Sequence, residues 1–331
     1  MNIYFVSLTT NKRKMSDKSK WEKNLISICT PTYNRRPFFP YLIECVMHQT
    51  YPLDQIEWII VDDGTDPIGD LVRHLSFVKY YYMSDKMTLG KKRNLMHSYC
   101  SGSILVYMDD DDYYPPERVS HAIEMLDANP TYLIAGSSEM HMYFNSINKL
   151  YQCGPYGPSV ATAATFAFRR ELLDLTNYEN TDEFSEEPHF LKRIKNETII
   201  PVLQLDPQKT ILVISHPHNS LNKEFMLNDK EQFVMKPSRF NVSDFIASPI
   251  LVDFYIHTVS FLLQRYESGK RENKPQLNLK KLEKRETQIH NNTAAKLAQQ
   301  NAIITQSTVY IQMKNALQHK IDVLIAKYEK K

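Results

Sequence analysis

Four consecutive aspartates, Asp109, Asp110, Asp111 and Asp112, follow directly on a short apolar run, residues 103–108 (SILVYM), and precede Tyr113-Tyr114-Pro115-Pro116. A short apolar run with β-branched members reads as a strand buried on both faces, as in a parallel sheet. Four carboxylates at its C-terminal end cannot all be buried unpaired, because desolvating each charge costs several kcal/mol. They repel one another and call for a cation, and carboxylate oxygens suit Mg2+ or Mn2+. Ligands in open α/β sheets collect beyond the C-terminal ends of strands. The run therefore reads as a metal site at the rim of a parallel sheet; the bland alternative is a solvated acidic loop.

Other chemically loaded stretches share that placement. Residues 55–61 (QIEWIIV) read as a strand that ends in Asp62-Asp63-Gly64-Thr65, although a DDG turn is by itself ordinary turn chemistry. Residues 89–94 (LGKKRN) open a helix with Lys91, Lys92 and Arg93. Three cations there oppose the helix dipole, so an anion such as a phosphate is expected beside them, against the alternative of a solvated basic turn. Residues 182–187 hold four acids, ending in Glu186-Glu187, just before an amphipathic helix at 190–195. A capping role would explain one of them. Residues 211–215 form an apolar strand ending in His216-Pro217-His218, and either histidine could bring nitrogen to a metal.

These groups need a scaffold. Residues 25–29 (LISIC) are the first strand, running through the polar turn 30–36 (TPTYNRR) into a helix at 38–49, a βα unit. The turn lacks GxGxxG, which argues against a dinucleotide fingerprint. Helices follow at 68–75, 89–101, 119–128 and 171–175, and strands at 77–83, 132–144 and 149–152, the last two as a hairpin. The small residues of 161–170 (ATAATFAFRR) would let a substrate approach the backbone. Residues 1–24 look like an extension, with a short strand at 2–8. Residues 245–266 read as helical. In 270–331, Leu282, Ile289, Ile303, Tyr310, Leu317 and Leu324 share one seven-residue spacing that Lys296 interrupts. The partner row is mostly polar, so long amphipathic helices that pack or oligomerise are expected rather than a coiled coil.

Composition excludes several classes. A net charge of +2 offers no global basic field for nucleic acid. Cys29, Cys45, Cys100 and Cys153 show no CxxC spacing and are expected to be reduced and buried. The apolar start lacks a basic n-region and a cleavage site, so a cytoplasmic location is expected. The best membrane candidate, residues 246–263, contains Pro249, Asp253 and His257 and reads as a buried or amphipathic helix, which leaves room for peripheral membrane contact.

Taken in order, PTYNRR, VDDGT, LGKKRN, MDDDDYYPPERV and EEPHFLKR resemble the family-2 type of inverting nucleotide-sugar glycosyltransferase with the GT-A fold, over about residues 25–222. The resemblance implies a Rossmann-like, mainly parallel mixed α/β sheet in residues 25–225; from about residue 226 the character changes, and 226–331 is expected to be a helical C-terminal region. It implies a nucleotide-diphosphate sugar donor, commonly a UDP-sugar, held through Mn2+ or Mg2+. Pro31, Tyr33 and Arg35 would form the nucleotide-binding turn, Asp63 would meet the base, and Lys91 and Arg93 would lie near the nucleotide. The D-x-D falls on Asp109 and Asp111. Asp111 would bind the metal directly, with Asp109 as a further metal-site carboxylate. Asp110 or Asp109 would hold the ribose, Asp112 would support the site, and His216 or His218 would reach the metal. Glu187 stands where the family keeps its catalytic base, with Glu186 as the alternative, since the usual Glu-Asp pair is here Glu-Glu. One carboxylate would then take the acceptor's proton while the cation neutralises the leaving diphosphate, and a single displacement inverts the sugar. The acceptor, a glycan, protein, lipid or small molecule, stays open. The competing readings are a nucleotidyltransferase, which would want a Gly-rich N-terminal loop that PTYNRR is not, and a non-catalytic nucleotide-sugar binder or oligomerising scaffold.

Overall fold

The computed structural model describes residues 22–181, 187–192, 200–228, 230–231 and 233–273. The N-terminal strand expected at 2–8, Glu186, the end of the helix at 190–195 and the helices expected after 273 lie outside these residues.

Strands β1 (Glu22–Thr32), β2 (Ile56–Asp62), β3 (Val78–Tyr82) and β4 (Gly102–Tyr107) are parallel and alternate with helices α1 (Phe39–Met47), α2 (Gly69–Val72) and α3 (Leu89–Tyr99). After α4 (Arg118–Ala128) come β5 (Ile134–Gly136), β6 (Met140–Phe144), β7 (Lys149–Cys153) and β8 (Ala167–Arg169). Then follow α5 (Glu187–Lys192), β9 (Val202–Gln204), β10 (Leu212–Ser215), β11 (Met235–Pro237), and a helical stretch from α6 (Pro249–Val252) through a π-helical segment (Asp253–Thr258) to α7 (Val259–Gln264). The main sheet has seven strands in the order β3-β2-β1-β4-β8-β5-β9, with β8 antiparallel to both neighbours. A second sheet runs β10-β6-β7-β11. The fold is thus α/β, with a mixed sheet that is mainly parallel.

Side-chain alternation on the central strands explains their uniformly apolar sequences. Ile28, Trp58, Ile60, Ile104 and Val106 enter one core. Cys29, Ile59, Val61, Leu105 and Tyr107 enter the other, on the opposite face. At about 25 cal/mol per Å2 of apolar surface, this two-sided burial is what makes β1, β2 and β4 the rigid floor of the molecule. Register places Thr32 beside Asp62 and Cys29 beside Tyr107, so the polar turns after three strands open at one edge.

The chain departs from its sequence pattern in the hairpin. The apolar stretch 132–144 is two strands in two sheets. The Ser137 amide leaves the ladder to donate to Thr165 Oγ1 at 2.9 Å, and Gly136 passes close to Ala161. The small-residue segment 161–170 itself supplies β8, buried between β4 and β5. Strands β9 and β11, three residues each, were too short to show a period. All four cysteines are free and buried. In the 249–264 stretch Leu251, Phe254, Tyr255, Val259 and Leu263 are buried while Asp253, His257 and Gln264 are exposed, with the apolar Ile250 and Phe261 exposed beside them. Among the described residues no helix is long and apolar enough to cross a membrane.

Candidate active site

The first turn, after β1, is wired to the second. Asn34 takes a left-handed backbone, φ 53°, and its Oδ1 accepts from the amides of Thr65 at 2.8 Å and Asp66 at 3.0 Å. Asparagine tolerates that conformation better than most residues. Pro31 sits at the end of β1, opposite Val61. Arg35 is buried and turns inward, with Nη2 3.0 Å from Asp111 Oδ2 and Nε 3.3 Å from Asp110 Oδ1. It also donates to the His218 carbonyl at 2.9 Å. Burial alone would lower the Arg35 pKa, but Asp111 and Asp110 outweigh it and hold the guanidinium charged.

In the second turn the two aspartates divide their work. Asp62 closes the loop, accepting from the amides of Gly64 and Ile68 and from Tyr80 OH. Asp63 accepts from Lys86 Nζ at 2.9 Å and the Met87 amide at 2.7 Å, and takes a short contact from Lys92 Nζ. Lys86 lies 4.3 Å from the centre of the Tyr33 ring, a cation–π distance. Burial, helped by Lys92, pushes Lys86 down to about 7. Two cations of α3, Lys92 and Arg93, thus have their anions within the protein. Lys92 also donates to the Thr32 carbonyl at 2.7 Å. Arg93 lies over the Tyr107 ring at 4.5 Å and reaches Asp109 at 3.4 Å. Lys91 is exposed on the outer face of the helix.

The aspartate run is distributed rather than clustered. Asp109 faces Arg93, while Asp110 and Asp111 share Arg35. Asp112 accepts from the Ile214 amide at 2.8 Å, and its own carbonyl accepts from Tyr255 OH, tying the main sheet to β10 and the 249–264 stretch. Burial raises Asp110 and Asp112 to about 7. Burial opposes the charge on Asp111 too, but Arg35 and His216 hold it well below the usual carboxylate range. Of the two histidines, His216 faces this carboxylate, with Nε2 3.2 Å from Asp111 Oδ2. Its ring leans on Phe38, and burial pushes it down to about 3, so it is neutral. His218 donates its amide to His216 Nδ1 at 3.2 Å, and its own ring lies beside Tyr266. Asn219 Nδ2 is a third group at Asp111 Oδ2, at 3.3 Å.

Glu187 begins α5, half-buried, and its Oε1 accepts the Ala163 amide at 3.1 Å. The next residue, Ala164, accepts from Tyr114 OH at 3.4 Å, and Tyr114 Oη accepts the Asp109 amide at 2.6 Å. The carboxylate of the second acidic stretch and the aspartate run are therefore joined through one loop. Beneath Glu187, Phe190 stacks on Tyr178 at 4.4 Å. Sequence reasoning passed over Asn34, Lys86, Lys92 and Asn219. Lys92 was within its motif, but the rotation of α3 against the sheet decides which cation turns inward.

Carboxylates, an inward arginine and a neutral histidine are gathered at the C-terminal edge of a mainly parallel sheet, the edge at which ligands of such folds collect. Residues 27–184 match the model of glycosyl transferase family 2. The matched residues are similar to a family-2 glycosyltransferase domain and carry most of the mixed, mainly parallel sheet. An uncharacterized glycosyltransferase of Haemophilus influenzae is 30% identical over 107 residues, covering 32% of this chain and 36% of that protein. The putative teichuronic acid biosynthesis glycosyltransferase TuaG of Bacillus subtilis is 26% identical over 124 residues, 36% of this chain and 48% of that protein. The chain thus spans about a third to a half of the length of these curated relatives. Among solved structures, the mannosyltransferase PcManGT from Pyrobaculum calidifontis, in complex with GDP-Man and Mn2+, has a TM-score of 0.48 at 17% identity, covering 73% of this chain and 70% of that one.

Proposed function

We propose that this protein is a metal-dependent inverting glycosyltransferase that moves a sugar from a nucleotide-diphosphate sugar, with UDP-sugars the foremost candidates, to an acceptor hydroxyl. The reading is supported above all by the meeting of Arg35, Asp111 and His216, from the ends of β1, β4 and β10, inside a family-2 domain.

A divalent cation fits part of this donor set. Asp111 and the neutral imidazole of His216 converge as one oxygen and one nitrogen, a pairing that suits Mn2+. Among the described residues no three His, Cys, Asp or Glu side chains are gathered as a complete metal cage. Asp111 and His216 would therefore hold the ion, with Asp109 as the further carboxylate of the D-x-D pair. The ion, when bound, neutralises charge developing on the leaving diphosphate.

The chain's own residues account for the remaining work. Arg35 keeps Asp111 ionised and ready for a cation. Tyr33 offers its ring to the base, with Asp63 and Lys86 at its edge. Arg93 and Lys92 add positive charge behind the phosphates. Glu187 takes the proton from the attacking acceptor oxygen, with Glu186 as the alternative, and the anomeric carbon is inverted in one displacement. A glycosidase would place two carboxylates across the scissile bond. Here one acidic group faces Arg35 and His216 and the other sits across the 163–164 loop.

The test is calorimetric titration of UDP, GDP and their sugars into the protein, with and without Mn2+. Metal-dependent binding of one nucleotide in the micromolar range, with its sugar binding at least as well, is expected. No nucleotide binding under any condition would overturn the donor-site reading.

A further inference from the structure

Beyond the family-matched residues, the chain returns to the same edge of the sheet. After α7, two 3-10 turns, Glu267–Gly269 and Arg271–Asn273, lie across the turns that follow β1 and β2. Four contacts fix this strap. Tyr33 OH donates to the Asn273 carbonyl at 3.2 Å, and Asn34 Nδ2 donates to the Ser268 carbonyl at 2.8 Å. Tyr266 OH donates to Asp66 Oδ2 at 2.8 Å. Gly269 is buried so close to the His218 loop that an added Cβ would stand 2.9 Å from His218 Nδ1 and 2.8 Å from the Tyr266 ring. The strap braces itself, since Asn273 Nδ2 donates to the Glu267 carbonyl at 2.7 Å.

Each partner of the strap belongs to a candidate site element. Tyr33 and Asn34 form the first turn, and Asp66 closes the second. The His218 carbonyl accepts from Arg35, and its amide fixes His216. Asn34 is the hub: its oxygen holds the Thr65 and Asp66 amides, and its nitrogen is held by the strap. A left-handed asparagine costs backbone energy, on the order of 1 kcal/mol, and persists where its surroundings over-determine it. Two of the strap's anchors are main-chain carbonyls, which a residue of any type supplies, so the strap leaves little trace as a motif.

We propose that residues 266–273 are a clamp of the donor site, with Tyr266 and Gly269 as positioning residues that keep the Tyr33–Arg35 turn, the Thr65–Asp66 turn and His218 in the arrangement nucleotide binding requires. The donor part of this statement rests on the function proposed above; the clamping of the turns does not. The donor site then extends from the family-matched residues to Asn273.

The experiment uses the full chain and two substitutions, Gly269→Ala, which presses the strap off His218, and the milder Tyr266→Phe, which removes only the bond to Asp66. Hydrogen exchange of the Thr65 and Asp66 amides is measured first, then the affinity for UDP and GDP with Mn2+, with the melting temperature as the control for folding. Exchange at these amides about tenfold faster in Gly269→Ala and about threefold faster in Tyr266→Phe is expected. Nucleotide binding weakened by similar factors, at a melting temperature within a few degrees of the parent, completes the expected result. Unchanged exchange in both variants overturns the clamp, whatever the nucleotide does. Faster exchange with unchanged or tighter nucleotide binding overturns the donor-positioning role. If the parent protein binds no nucleotide while the variants exchange faster, the proposed function fails, and the donor-positioning claim falls with it.

Discussion

The two acidic constellations of this protein are built on opposite principles. At the ends of β1, β2 and β4 nearly every charge has a buried counter-charge: Arg35 spans Asp110 and Asp111, Lys86 and Lys92 share Asp63, and Arg93 faces Asp109. At Glu187 a half-buried carboxylate opens a six-residue helix and takes the Ala163 amide. Dense pairing holds geometry and tolerates burial, because each buried charge has its partner within a few ångströms. Glu187 instead stands at a helix start, where the helix dipole and the Ala163 amide both meet its carboxylate. The contrast teaches that acidic runs of similar look can be placed differently, one balanced by buried cations and the other at the start of a helix; under the proposed function the first frames the donor and the second moves a proton.

Glu187→Gln should give the largest effect and break the comparison if it fails. Transfer, read as release of nucleotide diphosphate from a sugar donor, should fall by about 10^2- to 10^4-fold, with nucleotide affinity unchanged within about twofold. Equal losses in both would erase the division between framing and proton transfer. Next comes Arg35→Met, which strands Asp110 and Asp111 beside each other. Without divalent metal, urea unfolding should show a loss of about 3–5 kcal/mol, the usual cost of breaking a buried ion pair. Millimolar Mn2+ should recover part of it by mass action. Wild-type stability in the metal-free variant would show that Arg35 does not balance the cluster.

His97 lies between the two regions. Its Nε2 meets Tyr107 OH at 2.5 Å, and its ring packs on Phe168 and near Phe190. Burial, with Arg93 and Arg170 adding repulsion, lowers it to about 3. The unfolded chain therefore binds a proton between about pH 3 and 6.5 that the folded chain refuses, so stability falls as pH drops through this window. From pH 7 to 5 the loss from this residue is on the order of 2 kcal/mol. Denaturant melts of the parent and of His97→Gln at both pH values should differ in slope by that amount, because Asp110, Asp112 and His216 contribute alike to both proteins. The smallest expected effect sharpens the account of α3: Lys91→Ala should leave nucleotide affinity within about twofold, as exposed substitutions usually do, whereas Lys92→Ala should weaken it about tenfold by freeing Asp63. Equal effects from both would mean that exposure does not separate the two lysines.

Much of this was legible before any coordinates. The runs at β1, β2 and β4 read as buried parallel strands, and their ends located the polar turns, because apolar continuity and turn chemistry are local signals. The break between β5 and β6 was not legible, since the apolar pattern runs through Ser137 and the Thr165 hydroxyl that diverts its amide is distant in sequence. The choice between His216 and His218 was likewise invisible, because it follows from how the loop after β10 turns against Asp111. The strap at 266–273 works largely through main-chain carbonyls and left no motif.

The amino-acid sequence by itself determined which residues stand at the ends of which strands, because strand burial and turn formation are decided within a dozen residues. Only the tertiary structure decided who faces whom. It set Arg35 against Asp111 and His216 against the same oxygen. It turned Lys92 rather than Lys91 toward Asp63. It carried Tyr266 back to Asp66. Neutralising a buried charge requires a partner within a few ångströms, and across this sheet such partners come from remote parts of the chain.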